Sequence, residues 1–347
     1  MKKRILLAAT ALFTVCFASR AQQDSLITVA MCGDIMMGTT YPTVRLPKNG
    51  GANIFDDVKQ LFLDADLSVG NLEGVICEGG TCTKNVNKAN SYAFRMPESY
   101  SALLKDAGFD CVNLGNNHTN DFGVAGRKAT CENLNKQGIL YTGLPDCESV
   151  VIEKNGIKFG VCSFGTNSHT LRHTNTDLVK RIVGELRPKC DILVVNFHGG
   201  AEGTQHSHLP QGMETYLGEN RGSLRSFAHL CIDLGADLVF GHGPHVTRAI
   251  ECYNGHLIAY SLGNFCTTYG INVSGLTGYA PVLVARIAPD GRLVDGRIHS
   301  FIQKPGTGPK LDQTDKVARH MRDLSEADFK GKYGLKIADD GSFTPSK

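Results

Sequence analysis

Five short stretches carry the residues that can do chemistry: Gly33-Asp34, Gly70-Asn71-Leu72-Glu73, Gly115-Asn116-Asn117-His118, Asn196-Phe197-His198-Gly199-Gly200 and Gly241-His242-Gly243-Pro244-His245. Each follows an apolar run and mixes glycine with side chains able to hold a metal. Alone, each is weak. Gly-Asp is commonly a turn, Gly-Asn-Asn-His a polar turn, and a single His198 a hydrogen-bonded structural residue. The pair His242 and His245 is stronger, because Gly241, Gly243 and Pro244 force a tight loop in which two imidazoles can face one point. Together the five make a metal centre the better reading. The donors are carboxylate, amide oxygen and imidazole, without thiolate. That set suits Mn, Fe or Zn better than Ca, which prefers oxygen alone. It can hold two ions a few ångströms apart, the arrangement used in phosphoester hydrolysis. Water on such an ion has its pKa lowered toward about 7, which provides hydroxide as a nucleophile. His118 is the candidate to stabilise transition-state charge or protonate the leaving oxygen. His206 and His208, in "TQHSHLPQG", read as a loop that lines the substrate side of a cleft or faces solvent. No G-x-S-x-G elbow, P-loop or G-x-G-x-x-G after a strand competes.

These tips converge only if the preceding runs are strands of an α/β sheet system, whose carboxyl ends form the binding crevice. "ITVAMCGD" reads as a buried strand ending at Asp34. A helix from Ile54 to Asp66 leads to the strand "LSVGNLE". Pro97 opens a helix that Gly108 closes. "FDCVNLGNNH" and "ILYTG" are strands flanking a helix at 124–136. Hairpins are expected at Asn155-Gly156, Asn254-Gly255 and Asp290-Gly291. Helices near 177–186 and 222–234 precede "CDILVVNFHGG" and "ADLVFGHGPHV". The last forty residues hold one polar helix, 314–324, and a loose tail. The expected fold is one α/β domain of layered sheets with helices outside.

The chain has 347 residues, 41% of them hydrophobic and 20% charged, which is ordinary globular composition. Its start differs. Lys2, Lys3 and Arg4 precede the apolar run 5–18, and Ser19-Arg20-Ala21 offers small residues for cleavage. Residues 1–21 read as a secretory signal peptide. The expected protein is exported, periplasmic or at the cell surface; lipid attachment at Cys16 is a second reading. Losing the four basic residues of this leader takes the formal net charge from +2 to −2, which argues against nucleic acid or an anionic membrane as partner. No later segment reaches about 18 apolar residues, so the mature chain reads as soluble. Eleven of the twelve cysteines follow Cys16. Cys111, Cys162, Cys190 and Cys231 sit in apolar runs, where a thiol acts as a small hydrophobe. Cys77 and Cys82, in "CEGGTC", form the best disulfide candidate.

"GDIMMG", "GNLEG", "GNNHTNDFG", "FHGGAE", "GHGPHV" and "YSLGNF" occur in that order. The set closely resembles the bacterial CapA family of poly-γ-glutamate capsule synthesis proteins, within the calcineurin-like metallophosphoesterase superfamily, from about Thr28 to Phe265. The resemblance implies a four-layer fold, two central mixed sheets flanked by helices, around a dinuclear metal site. It implies a domain spanning 22–310, followed by a C-terminal helix and tail at 311–347. Asp34 would bind the first metal; Asn117, His198 and His242 the second; His245 would return to the first. His118 would sit beside the phosphate. Glu202 would orient His198 and Asp121 would orient His118, although Asp121 can equally serve as a helix N-terminal charge. Two positions depart from the superfamily. Its Asp-x-His motif has Met36 as third residue here, and its bridging Asp is Asn71. Both departures occur in the CapA pattern. Glu73 lies on the same side of an extended chain as Asn71 and is expected to supply the replacement carboxylate. The implied activity is metal-dependent hydrolysis of a phosphoester, or of an amide-type bond in an extracellular polymer. The alternative is a component of capsular polymer synthesis or export that binds an anionic chain in the same cleft, alongside other cell-envelope synthesis components. A binding module with a structural metal is a third reading.

Overall fold

The computed structural model describes residues 26–346; the signal-peptide reading and Cys16 lie outside the described residues. The first strand, β1 (Ile27–Met36), sets the architecture. Its apolar run is continuous because both faces are covered. Val29 and Met31 join the core between the sheets, while Ala30 and Cys32 face a second core outside. β1 lies in a mixed sheet of nine strands. On one side it pairs in parallel with β2 (Leu67–Leu72), followed by β3 (Cys111–Asn113) and β4 (Leu140–Thr142). The second sheet has six strands. The hairpin β5 (Ser149–Lys154) and β6 (Ile157–Phe164) leads to parallel β7 (Ile192–His198) and β8 (Leu238–His242), and the hairpin β9 (Ile250–Tyr253) and β10 (His256–Ala259) closes the other edge. The Asn155-Gly156 and Asn254-Gly255 turns have positive φ at both residues, as two-residue hairpins favour.

On its other side β1 changes partner along its length. Ile27 to Cys32 pair antiparallel with β12 (Val282–Ile287), and Asp34 to Met36 pair in parallel with β11 (Asn264–Thr267). The switch happens at Gly33. A Cβ there would lie 1.9 Å from the Gly263 carbonyl oxygen, which accepts the Asp34 amide at 2.9 Å. The strand therefore does not stop at Asp34 as the sequence suggested. It bulges there, and a bulge re-aims the side chain it carries.

Helices cover the outer faces. α1 (Lys59–Leu63), α2 (Tyr100–Asp106) and α3 (Gly123–Lys136) pack Phe62, Leu104 and Leu134 against the first sheet. α4 (Thr176–Leu186) and α5 (Leu224–Asp233) bury their apolar stripes against the second. This is the four-layer order implied by the family resemblance. The helix expected over 54–66 is reduced to α1. Before it, the amides of Ile54 and Val58 bond three residues back, tighter than an α-turn, and Asp57 is spent on Lys310 at 2.8 Å.

The C-terminal segment is not a loose tail. α6 (Lys316–Phe329) outruns its expected end by five residues and packs on β9 and on β13 (Leu293–His299), so it links the two sheets. β14 (Leu335–Ile337) and β15 (Ser342–Pro345) then extend the first sheet beyond β13. Phe343 is buried, its ring lying flat where a Cβ on Gly296 would come within 2.3 Å. The Cys77–Cys82 disulfide is absent. Both are free thiols, Cys77 turned toward the Gly79 carbonyl and Cys82 toward that of Lys84. No helix among the described residues is long and apolar enough to cross a membrane.

If the tail is docked as described, Phe343→Ala costs about 3 kcal/mol in urea unfolding. A change under about 1 kcal/mol would show that β15 adds nothing to the sheet.

Candidate metal centre

Strand register delivers the ligating residues in pairs. β1 and β2 place Asp34 opposite Asn71, and β7 and β8 place His198 opposite His242. Asn264 of β11 also stands opposite Asp34. Glu73 follows β2, and Asn116, Asn117 and His118 follow β3. His245 projects from the loop after β8 with φ 59, an uncommon backbone region for a residue with a Cβ.

Asp34, Glu73, His198 and His242 are fully buried. Asp34, His198 and His242 each bring a ligand atom within 4.8 Å of the others. Glu73 Oε2 is 3.4 Å and Asp34 Oδ1 4.0 Å from His198 Nδ1. His245 Nδ1 is 3.0 Å from Asp34 Oδ2. Both ring nitrogens of His242, His198 Nε2, Glu73 Oε1 and Asn117 Oδ1 are buried with no hydrogen-bond partner. A buried polar atom left unpaired costs free energy. Several of them around one point, of mixed nitrogen and oxygen type, fit divalent cations. Burial pushes His242 down to about 4 and, with His242 and His245 nearby, holds His198 well below its ordinary value. Both are neutral at pH 7, the form that ligates. Burial and the Asp34 charge push Glu73 well up. Burial lowers His245, but its hydrogen bond to Asp34 and the charges of Asp34, Glu202 and Glu73 outweigh that and lift it to about 10.

Asn71 takes a defined part. Asn116 donates through Nδ2 to the Leu72 carbonyl at 2.7 Å and accepts the His118 amide through Oδ1 at 3.0 Å. Those partners settle which end of the Asn116 amide is which. Asn116 Nδ2 also donates to Asn71 Oδ1 at 3.0 Å, so Asn71 must turn its NH2 inward. There it donates to Asp34 Oδ1 at 2.8 Å and to Glu73 Oε2 at 2.5 Å. Asn71 therefore clamps two carboxylates and offers no lone pair to a cation. Met36 is buried, its methyl beside Gly270 and the Phe94 ring.

His118 is held on three sides. Its Nδ1 lies 2.8 Å from Asp121 Oδ2 and 3.1 Å from Lys84 Nζ, and its ring stacks on Phe94 at 4.2 Å. Asp121 also accepts the Phe94 amide at 2.7 Å. These two bonds tie Asp121 to the His118 ring and to the Phe94 backbone. Nε2 is left facing Glu73 Oε1 at 3.8 Å. Burial, then the Lys84 charge, lowers the His118 pKa against the opposing pull of Asp121.

Other expected residues lie elsewhere. Glu202 does not orient His198. It binds Arg221 at 3.0 Å and faces His245 Nε2 at 3.9 Å, because Gly200 and Gly203, both at positive φ, turn the chain away from β7. His208 pairs with Asp328 at 2.6 Å, and His206 gives its carbonyl to Arg248. Both line a shallow hollow beside the main cleft and not the cleft itself. Three contributors escaped the sequence reading. Asn264, inside "YSLGNF", accepts from His245 Nδ1 through its Oδ1 at 3.0 Å and donates through Nδ2 to the His245 carbonyl at 3.2 Å. Lys84 reaches Asp121 at 2.7 Å from a loop without any motif. Arg248, fully buried three residues after His245, grips Glu214 with two bonds of 2.8 Å. The centre opens into a cleft of about 710 Å3, reached past Asn117, His118 and His245.

The profile of the bacterial capsule synthesis protein family PGA_cap matches residues 28–269. The PGA biosynthesis protein CapA of Bacillus subtilis is 30% identical over 268 residues, covering 72% of this chain and 66% of that protein. The capsule biosynthesis protein CapA of Bacillus anthracis is 30% identical over 271 residues, covering 72% and 62%. The chain thus spans a little under two thirds of the length of these relatives. Among solved structures, a phosphatase from Mycoplasma pneumoniae superposes with a TM-score of 0.52 at 15% identity, over 81% of this chain and 95% of that one, and shares the fold.

Asn71→Asp puts a third buried carboxylate against two others. We expect the metal-free protein to lose about 3 kcal/mol and added Mn to restore more stability than it gives the parent; equal metal stabilisation in both would refute the role given to Asn71. Ligation by His245 requires it to give up the proton it carries at pH 7. Mn uptake at pH 7 should therefore release protons, read as a buffer-dependent calorimetric enthalpy, and affinity should rise with pH toward 10. Uptake with no proton release would remove His245 from the ligand set.

Proposed function

The chain belongs to the bacterial capsule synthesis protein family PGA_cap, and on that premise we propose that it is an exported, metal-dependent hydrolase of phosphoesterase type, acting in capsule or extracellular polymer metabolism. One observation carries the reading. The neutral imidazoles of His198 and His242, buried with ring nitrogens that have no hydrogen-bond partner, stand with Asp34 and Glu73 directly behind His118 and His245, which line an open cleft. Asp34, Glu73 and His245 would hold one cation, and Asn117, His198 and His242 a second. When bound, divalent ions supply Lewis-acid stabilisation to a phosphoester.

The chain's own groups do the rest. Asp121 accepts the His118 Nδ1 proton, which leaves Nε2 free to exchange a proton at the cleft floor. The lowered pKa keeps that imidazole neutral at pH 7, so it can accept a proton from an attacking water or pass one to a leaving oxygen. Phe94 closes one ring face and keeps water from it. Asn71 keeps the Asp34 and Glu73 carboxylates at fixed spacing.

A second reading is a weakly catalytic component of polymer synthesis that binds an anionic chain in the cleft. It is favoured by the Asn71 amide, whose NH2 occupies the place of a bridging carboxylate. Purified residues 22–347, with bound metal measured and p-nitrophenyl phosphate assayed in Mn, separate the two. The hydrolase reading expects turnover, and a loss of at least about 100-fold in His198→Ala and His242→Ala. Two bound metals without turnover would leave only the second reading; failure to take up metal under any condition would remove both.

A further inference from the structure

The charges along the cleft are already spent. The lining holds one lysine and one arginine. Lys84 is 2.7 Å from Asp121. Arg221 is nearly buried, with Nη1 3.0 Å from Glu202 and Nε 3.1 Å from Glu219. Glu202 and Glu219 themselves line the cleft. An extended polyanion carries a charge on every repeat and needs unpaired cations beside it. Beyond the metal centre this cleft offers it none, and would charge a desolvation cost for each carboxylate.

What the cleft offers is neutral. Asn90, Ser91, Thr204 and Gln205 line it, and their side chains make no hydrogen bond among the described residues. Two tyrosines stand with them. Tyr92 is 55% exposed. Tyr216 is half-buried, with the Arg221 guanidinium over its ring at 5.3 Å and the His206 ring edge-on at 6.3 Å. A ring held in this way is a rigid apolar platform with a polar hydroxyl rim. The tip of its hairpin, Leu217 at φ 49, also lines the cleft.

From this geometry we infer that the cleft recognises a phosphoester whose body is an uncharged sugar, its phosphate at the metal centre and its hydroxyls on the amide and hydroxyl groups beside Tyr92 and Tyr216. The inference rests on the hydrolase reading for the phosphate end and goes beyond it in naming the body. Amides and hydroxyls both donate and accept, as a ring bearing hydroxyls on every side requires. A site built to bond hydroxyls rejects ligands that lack them.

Binding decides this without turnover. The full-length Mn-loaded protein is titrated with α-D-glucose 1-phosphate, phenyl phosphate, adenosine 5′-monophosphate and an oligomer of γ-linked glutamate, by calorimetry and saturation-transfer NMR. Glucose 1-phosphate should bind at least tenfold more tightly than phenyl phosphate, with saturation transferred to its ring protons. Tyr216→Ala should abolish that advantage. If that variant does not fold, Gln205→Ala, on an exposed loop, should lower it at least threefold. Equal affinity for the two phosphates, or tighter binding of the nucleotide or the glutamate oligomer, would overturn the sugar assignment. Absence of hydrolysis with all four ligands would sink the hydrolase reading alone, since the binding ratios stand without it.

Discussion

The carboxylate of Asp34 joins the two halves of this molecule. One oxygen accepts from Asn71 on the neighbouring strand of the first sheet, and the other meets His245 on a loop of the second. A fully buried carboxylate is tolerated only with such partners. The requirement runs outward from it. The bulge at Gly33 exists so that Asp34 can turn inward while its amide still bonds the Gly263 carbonyl. The positive φ of His245 brings its Nδ1 to the same carboxylate, and Asn264 ties that residue at both its ring and its carbonyl. The sheets meet at their carboxyl ends because buried charge there would otherwise be unmet.

A second layer of support stands behind the cleft wall. Arg248 bonds Glu214 through two nitrogens, the Ala201 amide donates to the same Glu214 at 2.9 Å, and the His206 carbonyl accepts Arg248 Nε at 2.9 Å. One buried ion pair thus fixes the loop carrying Glu202, the loop carrying His245 and the hairpin carrying Tyr216. Such a pair contributes little net stability, yet removal of either partner leaves an unmet charge. Its effect is positional. It holds three separate pieces of chain in one arrangement beside the candidate metal centre.

What the sequence let us read follows physical lines. Glycine-bearing tips after apolar runs are local signals, and they marked Asp34, Asn117, His198, His242 and His245 because each sits where its own strand ends or bends. Asn-Gly turns announced the hairpins for the same reason. Partners distant in the chain left no such trace. His208 bonds Asp328 across 120 residues, and Glu202 turned to Arg221 because of the path taken by a glycine-rich loop. The pattern "LKI" and the single Phe343 are too short to announce a strand pair, and they become strands only because β13 presents an edge to them. The segment 54–58 has helical spacing, but its side chains are claimed by other contacts.

Eleven thiols run through the described chain, none of them paired and most packed among apolar side chains. Burial raises the pKa values of Cys32, Cys111, Cys162 and Cys266 far above the ordinary range, so little thiolate exists at these sulfurs to enter exchange. That protection is a property of the folded state alone. For a polypeptide carried across a membrane into an oxidising space, every one of these sulfurs is open to mispairing until the layers close over it. Speed of collapse, more than any crosslink, would then govern how much of such a chain reaches the folded state.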